Sequence, residues 1–158
     1  MKCKKLLLIC VTITGMLFFA GCGQNKVPVE KVTGIVTIDN KPEEGVTISF
    51  HPKNSNLRAA IGRTNSNGEF DMSTGGATKD GAMSGEYFVT FSKYILVTPD
   101  GSEAKPFVFN DDGSPPPEQE LSKKYLVPEK YRDPQKALFE IKVERGKNNH
   151  YTFNLESE

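Results

Sequence analysis

The chain has no tryptophan, only two histidines (His51 and His150) and no cysteine beyond position 22. Each shortage removes a class of chemistry. Without later thiols, residues 23–158 hold no disulfide, thiolate ligand or cysteine nucleophile, so a packed core must hold the fold together. Two histidines leave little material for a histidine metal site or a Ser-His-Asp triad, and no nucleophile elbow is visible. A long hydrophobic run is also missing. The stretch from Leu6 to Ala20 is interrupted by Thr12, Thr14 and Gly15, whereas a membrane-spanning helix needs about 18 or more apolar residues. Charge of one sign is not in excess either: 20 Lys and Arg balance 20 Asp and Glu, which argues against a nucleic-acid partner.

The amino terminus does carry a pattern. Lys2, Lys4 and Lys5 precede the apolar stretch, and Ala20-Gly21 precede Cys22. This order reads as a signal peptide with small residues before the cleavage site. It resembles the bacterial lipobox, with Phe19 where Leu is usual. The resemblance implies cleavage between Gly21 and Cys22 and lipid on Cys22. The expected organisation is a lipoprotein signal over residues 1–21, a lipidated cysteine and tether over 22–31, and one domain over 32–156. The exported part is then 137 of the 158 residues, with 17 basic against 20 acidic groups once three lysines leave with the signal. That is the usual size of one domain.

From Val32 the hydrophobic period becomes two, the signature of strands with one buried face. Val32, Gly34, Val36 and Ile38 share a face, Asp39-Asn40-Lys41-Pro42 supplies a turn, and Val46, Ile48 and Phe50 point inward from the next strand. Arg58 to Thr64 reads as a weaker strand whose phase is open, Ala59 and Ile61 competing with Ala60 and Gly62. Asn65-Ser66-Asn67-Gly68 turns the chain into a short strand with Phe70 and Met72 inward. Gly75 to Gly85 is a glycine-rich loop. Glu86 to Tyr94 is the strongest strand, with Tyr87, Val89 and Phe91 on one face. Phe139, Ile141 and Val143, then Tyr151, Phe153 and Leu155, read as a closing hairpin across Arg145-Gly146-Lys147-Asn148-Asn149. Seven short strands without a helical period predict an all-β, antiparallel sandwich.

Between Tyr94 and Leu138 the alternation fails, and seven of the ten prolines fall there. Connections longer than about 15 residues are unusual unless they are functional or disordered. Glu118 to Leu126 is read as one or two helical turns.

Several of these segments together resemble carboxypeptidase regulatory-like, transthyretin-like domains. The opening is Val32-Thr33-Gly34-Ile35-Val36-Thr37, then Asn40-Lys41-Pro42 and Gly45-Val46-Thr47-Ile48-Ser49-Phe50. Thr64-Asn65-Ser66-Asn67-Gly68-Glu69-Phe70 looks like their Thr-Asp-x-x-Gly-x-Phe hairpin. Asp80-Gly81-Ala82 with Gly85-Glu86-Tyr87 matches the approach to their tyrosine-bearing strand. Val127-Pro128-Glu129-Lys130-Tyr131-Arg132-Asp133-Pro134 resembles a segment of small planctomycete-type envelope lipoproteins. Asn40, Asn65, Met83 and Ala137 depart from the usual residues. The resemblance implies a seven-stranded, prealbumin-like Greek-key sandwich; the catalytic domain that gives the family its name is absent, and no activity comes with it.

Candidate sites are few. Asn65, Asn67 and Asp71 around Gly68 superficially suggest a calcium loop, but EF-hand spacing would place Arg63 and Thr74 at its two ends. Asn110-Asp111-Asp112-Gly113 fails the same way. Turn chemistry is the simpler reading of both. His51 and His150 fall on outward strand phases. Phe107, Tyr125 and Tyr131 are the candidate partner-binding residues, since aromatic rings carry large contact area; the competing and preferred reading has Tyr131 packed onto the sandwich, its path stiffened by Pro128 and Pro134. The expected protein is a non-enzymatic, lipid-anchored envelope module that binds a protein or glycan, with no metal or cofactor assigned. A structural spacer is the alternative, and an envelope hydrolase a distant one.

Overall fold

The computed structural model describes residues 28–75 and 80–157. The expected signal, Cys22 and most of the expected tether lie outside them. The described chain is all-β, with β1 Val32–Ile38, β2 Lys41–Pro42, β3 Thr47–Pro52, β4 Ala60–Arg63, β5 Glu69–Ser73, β6 Gly85–Ser92, β7 Tyr94–Val97, β8 Ser122–Tyr125, β9 Phe139–Val143 and β10 Asn149–Leu155. Glu129–Tyr131 and Pro134–Lys136 are single 3₁₀ turns.

Seven strands form one curled sheet in the order β10-β1-β5-β4-β3-β6-β9, with β2 attached to β1. β5 carries the curl, because Glu69 to Asp71 pair with β1 while Met72 and Ser73 pair with β4. The curl brings the two ends of the sheet together. Phe153 on β10 lies 5.0 Å from Phe91 on β6 and 5.4 Å from Phe139 on β9, ring centre to ring centre. Around these rings Val32, Val36, Val46, Ile48, Phe50 and Val89 are fully buried, the inward sets that the period of two selects. Burial of a large aliphatic or aromatic side chain contributes roughly 1.5–3 kcal/mol.

The open phase of β4 is settled by packing. Ala60 and Gly62 face inward, and Ile61 is 56% exposed. A Cβ on Gly62 would lie 2.8 Å from Met72 Sδ and 2.9 Å from the Asp71 carbonyl, so the neighbouring strand already fills the space a larger side chain would use.

Three expectations need correction. β9 and β10 do not form a hairpin: β9 pairs antiparallel with β6, and β10 pairs in parallel with β1. Alternation sets each strand's buried face but not its partner, and the curl carries the chain from one end of the sheet to the other. The crossing is held by Asn149, whose buried side chain accepts from Glu144 N (2.8 Å) and donates to the carbonyls of Glu144 (3.0 Å) and Lys147 (3.2 Å). Second, Ser122–Tyr125 is strand, not helix, since Tyr94 to Val97 lie opposite as a pairing partner. Third, Lys41 and Pro42 belong to a strand rather than to the turn, because β2 pairs with Ile38 and Thr37. The turn before it is Asp39-Asn40, with φ of 50° and 64°, the doubly left-handed geometry of tight hairpins, which Asp and Asn tolerate.

The register fixes two poles. Val32, Ser73, Phe50 and Gly85 lie toward one end, where Glu30 pairs with Ala82; Ile38, Arg63, Thr47, Ser92 and Leu155 lie toward the other. The eight residues of β6 separate them by about 25 Å at roughly 3.3 Å per residue.

Candidate functional site

At the pole opposite Glu30 the chain leaves the sheet at Lys93. The Lys93 ammonium meets the Glu43 carboxylate at 2.6 Å, and the Lys93 carbonyl accepts from Leu126 N at 2.8 Å, which closes the root of an excursion spanning residues 94–126. β7 and β8 form its two-stranded stem, from Tyr94 opposite Tyr125 to Val97 opposite Ser122. They pack chiefly against each other rather than against the body.

Beyond the stem, two turns of the same design shape the tip. Thr98 to Ser102 and Asn110 to Ser114 each close with the first residue's amide donating to the serine carbonyl, at 2.9 Å in both. In each, an Asp-Gly-Ser sequence supplies a left-handed glycine, Gly101 or Gly113, and an aspartate that accepts from the serine amide. The hydroxyls of Thr98 and Ser102 hold the Asp100 carboxyl below its usual range, and the Ser114 hydroxyl does so for Asp112. These aspartates are therefore occupied by turn backbone, as the turn reading of Asn110–Gly113 requires. Asn65 acts similarly, accepting from the amides of Asn67 (2.9 Å) and Glu69 (3.0 Å).

Between and after the two turns lies an apolar groove of about 690 Å³, lined by Phe107, Val108, Pro115, Pro116, Pro117 and Leu121 among others. Its size falls within the range of ligand pockets. Phe107 packs edge-on against Phe109 at 5.2 Å, yet both rings stay exposed. Of the ten exposed large hydrophobic residues among those described, eight lie between Tyr94 and Leu126. Apolar exposure concentrated in this way marks interaction surfaces, whereas scattered single residues do not.

The root is aromatic and cationic. Tyr94 and Tyr125 meet at 5.9 Å across the stem, Lys123 lies 4.5 Å over the Tyr94 ring, and the Arg132 guanidinium 3.9 Å over the Tyr125 ring. Such stacking stabilises a cation by about 0.5–1 kcal/mol at an exposed site. Arg132 Nε is buried without an acceptor among the described residues.

The three aromatic candidates therefore separate. Phe107 and Tyr125 are exposed, the first at the tip and the second at the root. Tyr131 is only 6% exposed: it stacks on Phe139 at 6.1 Å, and its hydroxyl accepts from Glu156 N at 3.1 Å. Its ring anchors the returning chain to the core and offers no binding surface. Sequence reasoning missed Tyr94, Phe109 and Arg132. The Phe107-Val108-Phe109 run and the two Asp-Gly-Ser triplets were the available signals.

The histidines lie elsewhere. His51 Nε2 is 2.9 Å from Thr90 Oγ1, and burial pushes the ring below its usual pKa. His150 Nδ1 is 2.9 Å from Thr33 Oγ1 on an exposed face. Among the described residues, no group of three His, Cys, Asp or Glu is placed to hold a metal. No family model matches the chain, and no curated protein or solved structure matches it.

Proposed function

We propose that the chain is a non-enzymatic, lipid-anchored protein of the cell envelope. In this reading the body is a transthyretin-like Greek-key sandwich of the carboxypeptidase regulatory-like kind, and the excursion over residues 94–126 is its docking element for an envelope protein or glycan. The observation that carries this is the concentration of exposed apolar and aromatic side chains on one excursion, at the pole opposite Glu30. A lipid on Cys22 would hold the first pole near the membrane and leave the excursion facing away from it. Loops on a rigid frame commonly carry recognition, and prolines reduce the entropy a loop loses on binding.

Deleting Gly101–Pro117 tests the reading. The stem and core lie outside the deletion, so the β signature and thermal transition of the protein stay in place, while partners recovered from envelope extract by the intact protein are lost. Equal recovery by the deletion variant would move the binding site to a sheet face. Recovery of nothing by the intact protein would favour a spacer. Turnover of envelope peptides or glycans that disappears on changing His51 or His150 would overturn the non-enzymatic reading.

A further inference from the structure

We infer that the excursion docks a second copy of this chain, the acidic tip of one copy seating against the basic root of the next. This rests on the docking reading above and names its partner. Residues 98–121 carry six carboxylates (Asp100, Glu103, Asp111, Asp112, Glu118 and Glu120) against the single ammonium of Lys105. Residues 122–136 carry five basic groups (Lys123, Lys124, Lys130, Arg132 and Lys136) against Glu129 and Asp133. The tip is thus at −5 and the root at +3, while the whole chain from Cys22 onward is at only −3. The charge asymmetry belongs to the excursion together with the two 3₁₀ turns that follow it.

Within the root Lys130 pairs with Glu156 and Lys136 with Asp133, which leaves Lys123, Lys124 and Arg132 to face outward charge. Among the described residues, Glu103, Asp111, Glu118 and Glu120 form no ion pair, and Lys123, Lys124 and Arg132 have no carboxylate partner. Lys123 and Arg132 rest on tyrosine rings instead. Each set also surrounds exposed apolar groups: Phe107, Val108 and Leu121 at the tip, Tyr94, Leu96 and Tyr125 at the root. Two amphipathic surfaces of opposite charge are what an interface with apolar centre and polar rim requires.

Geometry selects the arrangement. Edge-to-edge pairing of two β8 strands would set Lys123 and Lys124 of one copy beside those of the other, and like charges there oppose pairing. Tip against root avoids that repulsion. Each copy offers one tip and one root, so a tip seated on the root of a further copy, rather than reciprocally within a pair, makes the contact heterologous and propagating. An excursion leaning across its neighbour's far pole keeps every tether on the same side, so a row of copies is compatible with one membrane.

The test uses two full-length, differently tagged copies co-expressed and solubilised in mild detergent at low ionic strength. Wild-type copies co-purify, and recovery falls as salt is raised, since exposed charges are screened beyond about 8–10 Å at physiological salt. Reversing the tip in both copies (Glu118→Lys with Glu120→Lys), or the root in both (Lys123→Glu with Lys124→Glu), lowers recovery about tenfold. Mixing a tip-reversed with a root-reversed copy restores it, because the unaltered tip of the second, at −5, meets the unaltered root of the first, at +3. A Glu118→Cys copy cross-links to a Lys124→Cys copy and not to itself, a readout independent of the charge reversals. Co-purification unaffected by either reversal, or no restoration and no cross-link on mixing, overturns the inference. A wild-type protein that stays monomeric yet captures a cationic envelope partner through its tip also overturns it, and leaves the docking reading standing.

Discussion

The hydroxyl of Tyr151, on β10, donates to the carbonyl of Lys142, on β9, at 2.7 Å. These strands stand at opposite ends of the sheet's path, so one side-chain hydrogen bond ties together the two ends of the curl. Burial, then the Glu144 charge, raises the Tyr151 pKa, which keeps the donor proton in place through the neutral range.

Tyr151→Phe should therefore lower stability by roughly 0.5–1.5 kcal/mol, the usual contribution of one such bond. Chemical denaturation of both proteins measures it. An unchanged midpoint would mean the ring's packing near Phe50 and Phe153 holds the ends without the hydroxyl.

Phe91 touches Tyr131, Phe139 and Phe153 and is fully buried. Phe91→Ala should destabilise by about 3–5 kcal/mol, transfer and cavity contributions together, read as a lowered thermal midpoint. A loss below 1 kcal/mol would contradict the shared aromatic core.

Gly34 sits where a Cβ would come within 2.1 Å of the Tyr151 carbonyl and 2.6 Å of Phe70 Cζ. Gly34→Ala should cost roughly 1–3 kcal/mol through forced displacement. Wild-type stability in that variant would show that β1 and β10 are not so closely apposed.

His51 titrates below its model-compound range because burial disfavours the imidazolium. Protonation then favours the unfolded chain, so stability is full above the unfolded value near 6.5 and falls as pH drops from there through the lower folded value. His51→Gln should flatten this part of the profile between pH 7 and 5. Denaturation midpoints at several pH values decide it.

Replacing Cys22 with Ser should release the protein from membranes, since two acyl chains hold a protein stably where one is marginal. Fractionation followed by blotting reads this. A tightly bound, uncleaved form would point to a spanning anchor instead.

Much of the body was legible because alternation is a local property. Val46, Ile48 and Phe50, or Tyr87, Val89 and Phe91, needed only their own spacing to be assigned inward. Partners were not legible: Phe139–Val143 and Asn149–Leu155 read as a hairpin, although their neighbours are β6 and β1. The phase of β4 stayed open for another reason, since Gly62, one of its inward positions, is small to make room for Met72. In the excursion the prolines hid the stem. Ser122-Lys123-Lys124-Tyr125 has no apolar alternation because every residue there is exposed, and only the facing Tyr94 to Val97 reveals it as strand.

The parallel pair between β1 and β10 also dictates an order of events. Val32 lies beside Asn149, so one edge of the first strand stays unpaired until nearly the whole chain is present. Sheets dominated by such distant contacts fold slowly, because loop-closure entropy is lost before the pairing returns it. A chain that emerges amino terminus first can close its sheet only when its last strand arrives.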